Sequence, residues 1–87
     1  MDLQNYREQI DKIDDELLRL FIERMNVVQK IALYKKEQRL LALDAVRESE
    51  KIAVIEKKAG EEMRPYAHKL YELLFELSRM YQEDIIK

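Results

Sequence analysis

The chain has 87 residues, enough for one small domain, and its single Gly and single Pro leave little material for turns. Charged residues make up 39% and apolar residues 47%, and Thr is absent, so the composition favours amphipathic helices over a sheet of alternating β-branched residues. The formal charge of −2 argues against nucleic-acid binding, which requires a basic surface, and makes a DNA-binding helical protein a poor third alternative. We therefore predict an all-α fold with no nucleic-acid partner.

No segment reads as an export signal or a membrane anchor. The start MDLQNYREQ is neither basic nor apolar enough for a signal peptide, and no apolar run reaches the length of a membrane span. The chain has no Cys, and its one His, His68, cannot form a zinc site without other soft ligands. We expect a cytoplasmic protein with no membrane contact, no metal and no cofactor, and we give His68 no role.

The first predicted helix is unusually long, running from Asp2 to about Leu40. Arg24 and Lys35 interrupt its apolar seam. Because eleven residues of helix return to within about 20° of the starting direction, these two cations share a face and lie about 16 Å apart. A cation on a buried face is costly without a partner, so both need an explanation. The seam itself, with steps of three and four, is Leu3, Ile10, Ile13, Leu17, Leu20, Val28 and Ile31.

One small globule could not cover this helix. Nearly forty helical residues span about 55–60 Å, much more than the width of a compact chain of this size. Burial on more than one side predicts a partner chain, most simply a second copy in a homodimer. The residues that widen the apolar face beyond the seam are Leu18, Phe21, Ile22, Met25, Val27 and Ala32.

Two shorter helices complete the predicted architecture. After a loop at residues 39–43, the second covers residues 45–59, with Asp44 as its N-cap and Gly60 as its stop. The third has Pro65 in its first turn and continues to near the last residue. The apolar side expected for the second helix is Val46, Ile52, Ala53 and Ile55. The apolar residues expected for the third are Tyr66, Leu70, Leu73, Leu74, Leu77, Met80 and Tyr81.

Polar residues also interrupt the third helix. Ser78 and Gln82 are neighbours at i and i+4 on a stripe that carries aromatic residues. Two of the residues that interrupt the apolar faces also have an ordinary interpretation. Ser78 can donate a hydrogen bond back to the carbonyl of Leu74. Arg24 of the first helix, taken alone, can extend along the helix face and place its charge in solvent. Taken as a set, the interrupting residues are mostly hydrogen-bond donors, which is typical of a site that holds an anion and stabilises developing negative charge.

The spacing of these residues is specific. The chain has Arg7 in Tyr-Arg-Glu-Gln-Ile-Asp, Asp14 in Ile-Asp-Asp-Glu-Leu-Leu, Arg24 in Glu-Arg-Met, Lys35 eleven residues later, Asp44-Ala-Val-Arg47-Glu48, and Ser78-x-x-x-Gln82. Each motif alone is common in helices. Together they resemble the all-helical class of chorismate mutases over essentially the full length.

This resemblance implies conversion of chorismate to prephenate by an intramolecular [3,3] rearrangement in phenylalanine and tyrosine biosynthesis. Such a step needs no nucleophile, so fixed donors suffice for catalysis. Residues 1–87 would form a single mutase domain in an intertwined homodimer with shared active sites. The ending Glu83–Lys87 leaves open a longer bifunctional chain, with a dehydratase or dehydrogenase domain downstream.

The resemblance also implies roles for eight residues. Arg24 and Arg7 would bind the two carboxylates, and Lys35 and Gln82 would donate to the ether oxygen. Arg7 precedes Arg24 by seventeen residues, about 25 Å of helix, so it would have to come from the partner protomer. Glu48 and the backbone near Asp44 would hold the ring hydroxyl of the substrate. Ser78 would contact a substrate carboxylate, and Arg47 would line the pocket. The four residues expected to be catalytic are Lys35, Gln82, Glu48 and Arg24.

Two other functions remain open from the sequence. An isochorismate–pyruvate lyase shares the same helical fold and a related anionic substrate. The cluster Asp44-x-x-Arg47-Glu48, with Ser78 and Gln82, looks more like the mutases. From a different class, the chain could be a helical dimerisation module without chemistry.

Overall fold

The computed structural model describes residues 2–87, which form three α-helices and no strand. Helix α1 spans Leu3–Gln38, α2 spans Ala45–Ala59 and α3 spans Arg64–Ile86. The all-α class and the pattern of one long and two shorter helices, predicted from the sequence, are confirmed for this range. Within it, no helix combines the length and the apolarity needed to cross a membrane.

The ends of α1 are set by local hydrogen bonds. At its start, Asp2 Oδ1 accepts from the N–H of Asn5 at 3.0 Å, as an N-cap does. At its end, Arg39 adopts the left-handed conformation with φ of 58°. The N–H groups of Arg39 and Leu40 then donate to the carbonyls of Lys36 at 3.2 Å and Lys35 at 2.7 Å, so two of the last helical carbonyls are satisfied. The chain therefore turns at residues 39–43, where the loop was expected.

Helix α3 packs against both other helices, whereas α1 and α2 do not pack against each other. The resulting chain measures 55 × 26 × 14 Å, and its shortest dimension is little more than the diameter of one helix. Its radius of gyration is 16.0 Å, whereas a compact domain of this length would have about 12 Å. A single chain is thus an open layer of helices with one side of α1 uncovered.

The hydrophobic core of one chain is correspondingly small. Within residues 2–87 the buried apolar residues are Val28, Ala32 and Ala42. Several residues expected in the core are exposed instead: Val46 is 69% exposed, Tyr66 68% and Met80 54%. On α2 the half-buried apolar residues are Ile52, Ile55 and Ala59, while Ala53 is exposed. The spacing of apolar residues along the sequence showed correctly which helix faces are apolar, but one chain has too few layers of helices to cover those faces.

Two ionic contacts join α2 to α3. Near the start of α2, Glu48 pairs with Arg79. Near its end, Glu56 Oε1 lies 2.5 Å from His68 Nδ1, and the other ring nitrogen of His68 lies 3.3 Å from Glu72 Oε1. The pKa of His68 is raised, chiefly by the hydrogen bond to Glu56 and further by the nearby charge of Glu72. His68, for which we expected no role, therefore links α2 to α3.

Candidate active site

A cavity of about 320 Å³ separates α1 from α2, and α3 contributes its third wall. This volume is within the range of small-molecule sites. Seven of the eight site residues expected from the sequence line the cavity, and Arg7 does not. The complete lining is Arg24, Val28, Ile31, Lys35, Ala42, Asp44, Arg47, Glu48, Phe75, Ser78, Arg79 and Gln82.

Arg24 is fixed by two contacts with α3. Its Nη1 donates to Ser78 Oγ at 2.5 Å, and its guanidinium carbon lies 5.8 Å from the centroid of the Phe75 ring. The ring face attracts the cation, and the hydrogen bond fixes the rotation of the guanidinium plane. The remaining N–H groups of Arg24 stay available for an anion in the cavity.

Ser78 is buried, at 5% exposure, and its hydroxyl makes two hydrogen bonds. It donates to the carbonyl of Leu74 at 2.8 Å and accepts from Arg24. The bond back to Leu74 is the ordinary interpretation considered for a helical serine. It coexists with the contact in the cavity, since one hydroxyl has one proton and two lone pairs. In this geometry Ser78 orients Arg24.

Lys35 reaches the cavity from the last turn of α1. Its Nζ donates to the carbonyl of Ala42 at 2.8 Å, which ties the loop to the helix. The left-handed turn at Arg39 makes this contact possible, because it folds the loop back over α1 and buries Ala42. An ammonium group has three protons, so two remain for a ligand.

The start of α2 brings both signs of charge to the cavity. Asp44 caps the helix: its Oδ1 accepts from the N–H of Arg47 at 3.1 Å. Glu48, in the first turn, accepts an ion-paired hydrogen bond from Arg79 of α3. The Arg47 side chain is exposed at the rim.

Arg79 was absent from the residues expected at the site. An arginine next to Ser78 looks like one more charge on a solvated helix face. The available signal was its spacing, since it precedes Gln82 by three residues and therefore projects to nearly the same side of α3.

Gln82 has an unmatched hydrogen-bonding group. The residue is 7% exposed, and its Oε1 is buried without a hydrogen-bond partner within residues 2–87. A buried polar atom in this state costs about 1–3 kcal/mol, which a ligand can recover. Because the amide has an acceptor at one end and donors at the other, rotation about its last bond can present either to a ligand.

The charges lining the cavity favour an anion. Arg24, Lys35, Arg47 and Arg79 contribute four positive charges, and Asp44 and Glu48 contribute two negative ones. The excess of two positive charges suits a small dianion. No cluster of three metal-ligating side chains occurs in the part of the chain described.

Arg7 lies outside this arrangement. It is exposed in the second turn of α1, seventeen residues before Arg24 on a helix without interruption. That separation corresponds to about 25 Å along the axis, beyond the reach of any side chain. Within one chain, therefore, Arg7 and the cavity remain apart.

A comparison with protein families matches the model described as chorismate mutase type II to residues 6–83. The chain belongs to this family. The resemblance drawn from the sequence motifs is thereby confirmed, and every residue that lines the cavity falls within the matched range. No curated protein and no solved structure matches the chain. Membership in the chorismate mutase type II family supports chorismate mutase activity in general, and a dianionic substrate is consistent with the charge of the cavity.

Proposed function

We propose that the protein converts chorismate to prephenate by an intramolecular [3,3] rearrangement. The observation that carries the proposal is the cavity, where Arg24, Lys35 and Gln82 converge from two helices around an excess of positive charge. No cysteine or serine–base pair is required there, because the rearrangement proceeds without a covalent intermediate. Membership in the chorismate mutase type II family supports the same reaction.

The first task of such a site is to hold a flexible dianion in its compact reactive conformer. Arg24 is suited to one carboxylate, since Ser78 and Phe75 already fix its guanidinium group. A prepositioned donor spares the entropy of ordering it when substrate binds. Lys35, held by the carbonyl of Ala42, can also reach a carboxylate.

The second task is to stabilise negative charge on the ether oxygen as the C–O bond breaks. Lys35 and Gln82 are the donors assigned to this oxygen. Their chemistry fits because an ammonium and an amide N–H both donate at neutral pH. Donors aimed at developing charge in a water-poor site contribute on the order of a hundredfold each in rate.

The start of α2 is assigned to the ring hydroxyl. Glu48 would accept its hydrogen bond, with the backbone near Asp44 as a second contact, and Arg47 would close the rim. The capped start of α2 supports this assignment, because it fixes the direction in which Glu48 leaves the helix.

We further propose that the active form is an intertwined homodimer in which the partner's α1 supplies Arg7. The uncovered side of α1 supports this: Leu17 is 56% exposed, Leu20 51% and Ile13 59%, far more than a soluble helix leaves in water along one face. A second copy would cover this face and would complete the carboxylate-binding set.

The direct test is an assay of purified protein with chorismate, following loss of its absorbance and formation of prephenate. The proposal expects turnover, and a dimer by size-exclusion chromatography with light scattering. Isochorismate supplied in a parallel reaction tests the lyase alternative through salicylate and pyruvate. Absence of turnover together with no calorimetric binding of a chorismate transition-state analogue would overturn the proposal in favour of a dimerisation module.

A further inference from the structure

Arg79 and Glu48 form an ion pair at the wall of the cavity. They are 31 residues apart in the chain and come from α3 and α2 respectively. Their side chains are 29% and 20% exposed, so the pair is partly shielded from water. Partial burial strengthens the direct attraction between the two charges and makes loss of one partner more costly.

The geometry leaves part of Glu48 available. Arg79 Nη1 contacts Oε1 of the carboxylate. A carboxylate has two oxygens and about four acceptor positions, so Oε2 can accept from a further donor in the cavity. Arg79 therefore fixes the direction of Glu48 without saturating it.

The charge of Glu48 creates a problem for a dianionic substrate. An isolated carboxylate beside the substrate would repel it, since like charges a few ångströms apart are strongly unfavourable when water is partly excluded. Pairing with Arg79 offsets this charge locally. The excess positive charge of Arg24, Lys35 and Arg47 over Asp44 can then act on the ligand.

We propose that Arg79 is a positioning residue of this site, which holds the Glu48 carboxylate with one oxygen toward the cavity and cancels its repulsion of the substrate. The inference rests on the proposed mutase function. Arg79 acts through Glu48 and makes no contact with the reacting atoms. Its loss should therefore weaken substrate binding more than the chemical step.

The test is a double-mutant cycle, with kcat and KM for chorismate measured in wild type, Arg79→Gln, Glu48→Gln and the double variant. Arg79→Gln should raise KM by about tenfold and change kcat by less than about threefold, because an unpaired carboxylate then faces the substrate. In the Glu48→Gln background the same substitution should change KM by less than about twofold. Arg79→Lys should recover most of the affinity, since it keeps the charge.

A matched control is Arg19→Gln. Arg19 also forms ion pairs, with Glu16 and Glu23, but it is 58% exposed on α1. The Arg19→Gln substitution should leave both kcat and KM for chorismate unchanged. Circular dichroism of every variant shows whether the helices persist.

A merely structural role for Arg79 predicts a lower unfolding midpoint and a loss of kcat that follows the folded fraction, with KM unchanged. That result, or an Arg79→Gln enzyme with wild-type KM, would overturn the inference while leaving the mutase function intact. Wild-type protein without mutase activity would instead overturn the proposed function, and this inference with it.

Discussion

Arg24 of α1 donates from Nη1 to Ser78 Oγ of α3 at 2.5 Å, across 54 residues of chain. This bond joins two of the three helices that line the cavity, and it determines which N–H groups of the guanidinium remain free. Because Ser78 in turn donates to the carbonyl of Leu74, its hydroxyl cannot rotate away without losing a bond. The direction of Arg24 is therefore set by the third helix.

The first prediction concerns the shape of this cation rather than its charge. Arg24→Lys keeps the charge, but a single nitrogen cannot contact Ser78 and also offer a planar fork to a carboxylate. We expect kcat/KM for chorismate to fall by about two orders of magnitude, with helicity unchanged. Arg19→Lys, at an exposed position of the same helix, is the control and should stay at the wild-type value. Activity of Arg24→Lys within about twofold of wild type would refute the assigned role.

The second prediction concerns the neutral amide of Gln82. In Gln82→Glu the side chain donates only when protonated, and the ordinary pKa of a Glu side chain is about 4.3. We expect kcat/KM to fall on the order of a hundredfold at pH 7.5. The deficit relative to wild type should shrink as pH is lowered toward 5, because the protonated acid regains a donor. Rate–pH profiles of both proteins test this, and a constant ratio between them would count against a donor role.

The third prediction concerns the contact of His68 with Glu56, which links α3 to α2. The pKa of His68 is raised by the hydrogen bond to Glu56 and by Glu72, so folding favours the protonated ring. A raised pKa gives stabilisation that is complete below the unfolded value of about 6.5 and is lost as pH rises through the folded value. Wild type should therefore exceed His68→Gln in free energy of unfolding at pH 6, and the difference should shrink by pH 9. Urea unfolding at one fixed protein concentration measures it. An equal difference in free energy of unfolding at both pH values would show that this contact does not depend on the protonation of His68.

The helices could be predicted from the sequence because their signals are local. The seam along α1, the capping residues Asp2 and Asp44, and the stop at Gly60 each depend on neighbours within a turn. The end of α1 was less defined, since Arg39 adopts a left-handed conformation without the glycine that usually marks one.

The candidate site was partly predictable for a different reason. Spacing on a helix determines which side chains share a face, so Arg24 with Lys35, and Ser78 with Gln82, could be grouped. It does not determine which charged residues meet across helices. The pairs Glu48–Arg79 and Glu56–His68 depend on how α2 lies on α3, and Arg79 and Glu56 look like part of a solvated face in the sequence.

The spacing of apolar residues also does not show whether a helix face is covered by its own chain or by a partner chain. Leu17 and Tyr66 have the same hydrophobic signature as core residues, yet both are exposed in one chain. The folded layer is 14 Å thick, so a single chain has no further layer with which to cover them.

Mixing two inactive variants tests whether each site needs residues from two chains. Arg7→Ala and Arg24→Ala should each lose activity, because each removes a carboxylate contact from both sites of a dimer. Unfolded together in equal amounts and refolded, half of the dimers should be mixed, and each mixed dimer should contain one intact site. We expect recovery of about a quarter of the wild-type rate of prephenate formation. If Arg7 served its own chain, no intact site could form, and a mixture as inactive as its two components would rule out a site shared between two chains.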